Sequence, residues 1–120
     1  MKPFADRLAE ACRAKGAPLC VGLDPHLSQL PPAVREAAPP PYGDSLPGRA
    51  AAAEAFSAEV IAATAPVAAA LKVNIAFYEQ FGPHGMRAYA ATLRRARKAR
   101  MLVIADVKRG DIGSTAEAYA

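Results

Sequence analysis

MLVIADVKRGDIGSTAEAYA, residues 101–120, changes character twice along its length. Met101 to Ala105 is a short apolar run rich in branched side chains, the composition of a strand buried on both faces. Asp106, Lys108, Arg109 and Asp111 follow at once. Side chains of a strand alternate, so Asp106 and Lys108 share one face and Val107 takes the other. Gly110 and Gly113 loosen the backbone beyond them. Ser114-Thr115-Ala116-Glu117 then reads as a capping box, with Ser114 as N-cap and Glu117 at N3. The order is strand, charged turn, helix. Parallel α/β proteins place catalytic groups at that end of their strands. A solvated loop would explain any one of these charges alone. An Asp-x-Lys pair on an inward face is different, because unpaired charge there is costly.

The same grammar recurs upstream. Residues 3–15 read as a helix: Pro3 suits the first turn, Phe4, Leu8, Ala11 and Cys12 form an apolar stripe, and Gly16 ends it. Cys12 is expected in the core on that stripe. Pro18 to Asp24 is a first strand of buried type, with Cys20, Gly22 and Asp24 on one face. Asp24 thus brings a second carboxylate to a strand end, although an Asp before Pro25 is also a common turn former. Pro31, Pro32, Pro39, Pro40, Pro41 and Pro47 punctuate the segment after this strand, with a brief helix expected over Pro32–Ala38. No basic residue accompanies a PxxP core, so a surface insertion is a better reading than a polyproline ligand.

Residues 49–65 make the next helix, with Ala53, Phe56, Val60, Ala63 and Val67 at three- and four-residue steps and Pro66 at its end. Ala69 to Asn74 is the second strand. Lys72 lies inside its apolar run, on the same face as Asn74, and calls for a carboxylate partner, for which Asp106 is the natural candidate. An edge-strand lysine that blocks aggregation is the competing reading. Phe77, Tyr78 and Phe81 are expected to pack, and Gly82-Pro83 opens a third helix with the stripe Met86, Tyr89, Ala90 and Leu93. His84 at its start is expected at the surface. Arg94, Arg95, Arg97, Lys98 and Arg100 close that helix, where cations complement the macrodipole. The cluster lacks interleaved aromatics, so no nucleic-acid partner is expected.

The repeated strand–helix order implies a parallel sheet. No Gly-x-Gly-x-x-Gly follows a strand, so a dinucleotide fold has no support. The chain has 120 residues, 52% of them hydrophobic, and a net charge of +4, which suits one small globular domain. Cys12 and Cys20 show no metal-ligand spacing and do not argue for a disulfide framework. Asp6, Arg7 and Glu10 interrupt what would be a signal peptide's apolar core, and no apolar run reaches membrane-spanning length. A soluble, cytoplasmic protein is expected.

Asp106-x-Lys108-x-x-Asp111-Ile112 resembles the Asp-x-Lys-x-x-Asp-Ile signature of the orotidine 5′-phosphate decarboxylase family. Leu23-Asp24-Pro25 is similar to that family's strand-one aspartate, and Leu71-Lys72-Val73-Asn74 to its strand-two lysine. Ala76-Phe77-Tyr78-Glu79-Gln80-Phe81-Gly82 resembles the bacterial branch with the longer first insertion. That branch usually carries proline where Val73 stands. Thr115 also matches a family position at the active site.

The resemblance implies an α/β fold, the N-terminal portion of a (β/α)8 TIM barrel: about three βα units preceded by a helix. It implies a cofactor-free, metal-free decarboxylation of orotidine 5′-monophosphate to uridine 5′-monophosphate in pyrimidine biosynthesis. Lys108 would be the proton donor, and Asp106, Lys72 and Asp111 its catalytic companions. Asp24, Lys72, Ile112 and Thr115 would bind substrate, with Asp111, Ile112 and Thr115 reaching into a neighbouring subunit's site. The partner would then be a second copy in a homodimer with shared sites.

Two other expectations stand beside this. A sister group of keto-sugar-phosphate enzymes shares Asp-x-Lys-x-x-Asp and uses Mg2+. Arg109-Gly110 and Ile112-Gly113-Ser114-Thr115 match the decarboxylase instead. Alternatively the chain is a non-catalytic truncated fragment, since a barrel of this kind needs about 250 residues. Residues 1–120 would then be a single partial domain, incomplete for activity and without the later groups that grip pyrimidine and phosphate.

Overall fold

The structure is a computed structural model and describes residues 2–36 and 45–120. Helix α1 spans Phe4–Lys15 and stops at Gly16, whose φ of 67° is the left-handed conformation that a glycine C-cap supplies. It lies on the rest of the molecule without burying any residue, held in part by Lys15 Nζ donating to the Ala65 carbonyl at 2.6 Å. Cys12 is therefore half-buried and not the core residue expected, because its stripe meets no covering layer.

Strands β1 (Cys20–Leu23), β2 (Ala70–Asn74) and β3 (Leu102–Asp106) form one parallel sheet in the order β1-β2-β3. Its register puts Gly22, Lys72 and Ile104 in one row, and Asn74 opposite Asp106 in the row nearer the carboxyl ends. Alternation then sends Leu23, Leu71 and Val73 to the other face. There they join a core of Ala50, Ala53, Ile61, Phe77, Tyr78, Tyr89 and Ala96. β2 is the middle strand and all but Lys72 of it is buried. β3 departs from expectation: none of its residues is fully buried. The run that reads as buried on both faces is an outer strand among the described elements, and position in the sheet, not composition, decides its exposure. β1 is likewise shorter and more open than its composition suggests, with Cys20 exposed.

A short 3-10 turn at Leu27–Gln29 and helix α2 (Pro32–Glu36) follow β1. The end of the helix expected over Pro32–Ala38, and Pro39 to Pro41, lie outside the described residues. Helix α3 runs Leu46–Thr64 and starts earlier than expected, because Ser45 serves as its N-cap and accepts from Gly48 N at 3.4 Å. Its buried face includes Ala50, Ala53, Ser57 and Ile61, while Phe56 and Val60 are half-buried, Ala63 is exposed and Val67 is exposed beyond the helix. An alanine-rich helix offers several equally apolar stripes. Ser57 turns inward since its hydroxyl donates to the Ala53 carbonyl and pairs with Tyr78 Oη at 2.6 Å. Burial pushes the Tyr78 hydroxyl up to about 12, with its hydrogen bond to Ser57 opposing the rise.

After β2 a short helix α4 (Ala76–Glu79) precedes α5 (Gly82–Lys98). Asn74 Oδ1 accepts from Ala76 N at 3.2 Å and fixes the start of α4. Helix α5 buries Gly85, Ala88, Tyr89, Thr92 and Ala96, and leaves Met86 exposed and Ala90 and Leu93 half-buried. The stripe shifts because α5 sits against α4: a Cβ on Gly85 would lie 1.7 Å from the Tyr78 carbonyl oxygen. Only a glycine permits that approach. The basic residues from Arg94 to Lys98 are exposed along the last turns of α5, and Arg100 lies beyond it with φ 60°. His84 pairs at the surface with Arg87, Nδ1 to Nη2 at 2.8 Å.

Helix α6 spans Gly113–Tyr119. The expected capping box does not form. Ile112 has the extended backbone of an N-cap and Ser114 is already inside the helix, so neither Ser114 nor Glu117 caps it.

Candidate active site

The parallel register brings the carboxyl ends of β2 and β3 together, and the backbone secures them, with Ile75 N donating to the Asp106 carbonyl at 3.0 Å. Lys72 projects from β2 over Gly22, whose missing side chain leaves room: a Cβ there would lie 3.8 Å from Lys72 Cε. Its Nζ reaches 3.7 Å from Asp106 Oδ2. The same oxygen accepts a hydrogen bond from Lys108 Nζ, which also stands 3.3 Å from Asp111 Oδ2. The result is a chain of alternating charge, Lys72, Asp106, Lys108, Asp111. Asp106 is its most enclosed member, with a side chain 11% exposed against 40% for Lys72 and 46% for Lys108.

The electrostatics reflect the contacts. The Lys108 hydrogen bond holds the Asp106 carboxyl below the usual carboxylate range, against a smaller opposing effect of burial. Asp106 in turn raises the Lys108 ammonium, with Asp111 adding to it. Asp111 is lowered first by the Ile112 backbone N–H, which donates to its Oδ1 at 2.9 Å, and then by Lys108. Asp106, Lys108 and Asp111 are therefore charged at neutral pH, and Lys108 is an ammonium flanked by carboxylates.

Asp24 follows β1 at the same end of the sheet, and its Oδ1 is buried with no hydrogen-bond partner among the described residues. Thr115 is half-buried in the first turn of α6. Ile112 is 85% exposed, an unusual state for an isoleucine in a charged turn. The resemblance sends Asp111 towards a neighbouring chain. Within this single chain Asp111 Oδ2 lies 3.3 Å from Lys108 Nζ, and Arg109 between them has φ 51°.

One feature lay beyond sequence reasoning. Glu79 Oε1, at the end of α4, accepts from Arg109 Nε at 3.3 Å and Nη2 at 3.1 Å. Thirty residues separate the partners, and no local spacing signals the contact.

A parallel βα sheet whose charged side chains gather at the strand carboxyl ends defines a barrel-type α/β protein with an enzyme-like site. A model of the orotidine 5′-phosphate decarboxylase / HUMPS family matches residues 17–120, and the chain belongs to that family. It is 43% identical over 120 residues to the orotidine 5′-phosphate decarboxylase of Rhodopirellula baltica, covering 100% of this chain and 39% of that protein. The decarboxylase of Streptomyces coelicolor is 44% identical, with the same 39% covered. A crystal structure from Streptomyces avermitilis, of a protein assigned as an orotidine 5′-phosphate decarboxylase, aligns with a TM-score of 0.70 and 39% identity. That alignment covers 99% of this chain and 38% of the other. The chain thus spans about two-fifths of the length of the relatives it matches. Among the described residues, no helix is long and apolar enough to cross a membrane.

Proposed function

We propose that this site serves the decarboxylation of orotidine 5′-monophosphate to uridine 5′-monophosphate and CO2. The observation that carries the reading is the pairing of Lys108 Nζ with Asp106 at the carboxyl end of β3, with Lys72 on the other side of Asp106. Relatives 40–44% identical that are named for this reaction support it. Cleavage of the bond from C6 to the carboxylate leaves its electron pair on C6, where the pyrimidine offers no conjugated sink. A fixed ammonium beside C6 stabilises that carbanion and then donates a proton to it, leaving a neutral amine that solvent reprotonates. Asp106 stands close enough to the same ammonium to repel a substrate carboxylate, and the repulsion is relieved as neutral CO2 departs.

Lys72 holds Asp106 from the other side and, with Asp24, faces the ribose hydroxyls. The unpartnered Asp24 Oδ1 is an acceptor suited to a hydroxyl donor. We read the protein as cytoplasmic, in keeping with its two free thiols. The test is to follow loss of orotidine 5′-monophosphate absorbance with and without a chelator, then to run the reaction in D2O. Chelator-resistant turnover with deuterium at C6 of the product is expected. Strict metal dependence, or conversion of a keto-sugar phosphate instead, would replace this reading with that of the Mg2+-dependent sister group.

The active form is read as a homodimer with shared sites, supported by the exposed Ile112 beside Asp111. Mixing inactive Lys108→Ala and Asp111→Ala proteins should then restore activity in heterodimers that hold one site with both residues intact. No recovery after demonstrated subunit exchange would place Asp111 in its own chain's site.

A further inference from the structure

Gly22 lies inside β1, on the charged side of the sheet. A glycine within a strand weakens it, because the backbone gives up more freedom there and no side chain packs. The usual reasons for keeping one are absent. Its φ is not positive, unlike that of Gly16, Gly82 and Gly113. No backbone crowds it, unlike Gly85 against the Tyr78 carbonyl. Among the described residues, the one heavy atom within 4 Å of a Cβ placed on Gly22 is Lys72 Cε, at 3.8 Å.

The register accounts for that contact. Lys72 has Gly22 as its neighbour on β1 and Ile104, a branched residue, as its neighbour on β3. The lysine stem leans to the bare side of this row and passes Gly22. Its ammonium then comes to Asp106, two residues beyond Ile104 along β3. At 3.7 Å this approach is already longer than a hydrogen bond, and the lysine side chain is 40% exposed. A flexible four-carbon stem in that setting has other rotamers open to solvent. A methyl group at position 22 would meet Lys72 Cε at an ordinary van der Waals distance. A branched group would need the space that the stem now fills, and would push the ammonium out of reach of Asp106.

Resting on the reading of the site above, we propose that Gly22 is a positioning residue whose missing side chain gives Lys72 its path to Asp106. It acts through size alone and does not touch substrate. A hydrogen or a methyl is accepted at position 22, and a β-branched group is not.

The experiment compares Gly22→Ala, Gly22→Val, Lys72→Met and the double variant Gly22→Val/Lys72→Met in the active protein. Gly22→Ala should lower kcat by no more than about threefold, whereas Gly22→Val should lower it roughly 10- to 100-fold, the scale of a displaced group. The split of the loss between kcat and KM should match that of Lys72→Met. The double variant should be no worse than Lys72→Met alone, because both changes remove one contact. Unchanged kcat in Gly22→Val, an equal loss in Gly22→Ala, or additive losses in the double variant overturns the proposal. A second readout separates this from failure of the decarboxylase reading: titration of the Asp106 carboxyl by NMR in 13C-aspartate-labelled protein. That carboxyl is held low first by the Lys108 hydrogen bond and also by the Lys72 charge. Gly22→Val should therefore move its titration up, as Lys72→Met does, whatever reaction the site performs. An unmoved titration overturns the proposal even where turnover falls, and a moved titration with no decarboxylation in any form overturns only the reading of the reaction. Valine and threonine both suit a strand. Gly22→Thr covers the case in which Gly22→Val fails to fold; it should reproduce the loss of kcat, and full activity in it counts against the proposal.

Discussion

On one side of the sheet Leu23, Leu71 and Val73 are at most 1% exposed, packed into the core with Ile61, Phe77 and Tyr89. On the other side the row of Gly22, Lys72 and Ile104 includes an exposed glycine and two half-buried side chains, and Asp106 and Lys108 continue that face towards the loop. The same three strands supply both faces, and alternation assigns each residue to one of them. The apolar face is where folding free energy comes from. The charged face is solvated, paired within itself, and close to neutral for stability. Separating these tasks lets the charges be arranged for chemistry without exposing the core to their desolvation cost.

The comparison breaks most sharply if a charged-face residue behaves like a core residue. Lys72→Met removes the ammonium that holds Asp106 from the β2 side. Turnover in the active protein should fall on the order of 1,000-fold, as expected when a positioned charge is lost from a site. The unfolding midpoint in urea should hardly move. A large loss of stability with turnover intact would reverse the assignment of the two faces.

Leu71→Ala sharpens the other half. Leu71 is fully buried, so its truncation should cost about 3 kcal/mol of unfolding free energy. Remaining folded protein should turn over substrate at nearly the original rate. Urea unfolding followed by circular dichroism, with an assay on the same sample, checks both.

The smallest effect concerns pH. Asp106 is held below its ordinary value by Lys108, so its contribution is present above the unfolded carboxylate value and is lost as pH falls through the folded one. Lys108 is raised by Asp106, so its contribution is complete below the unfolded lysine value and is lost as pH rises through the folded one. Between about pH 5 and pH 9, inside both ordinary values, the pair should leave the melting temperature flat. A slope in that window that disappears in Lys108→Ala would show that the pair titrates there.

Much of the molecule was legible in the chain. Strand alternation at Asp106-x-Lys108 and the apolar setting of Lys72 pointed to one charged face, and Asp106 now pairs with Lys108 and, at 3.7 Å, with Lys72. The helices were legible as segments but not as faces. In α3 alanines dominate and in α5 most of the inward residues are small, and which of them turn inward is decided by contacts between helices, such as Ser57 with Tyr78 and Gly85 against the Tyr78 carbonyl. The exposure of β3 was not legible, because composition does not record which strands have neighbours on both sides. Nor was the capping of α6, where the extended backbone falls at Ile112 and so leaves Ser114 inside the helix.

That Lys108 is kept charged and in place for chemistry and not for folding is tested most directly by Lys108→Ala, with turnover and melting recorded on the same preparation of the active protein. Turnover should drop to background, uridine 5′-monophosphate should still bind, and the melting temperature should stay within about 2 °C, as for an exposed side chain outside the core. Near-normal turnover, or a melting temperature that falls in step with activity, would contradict it.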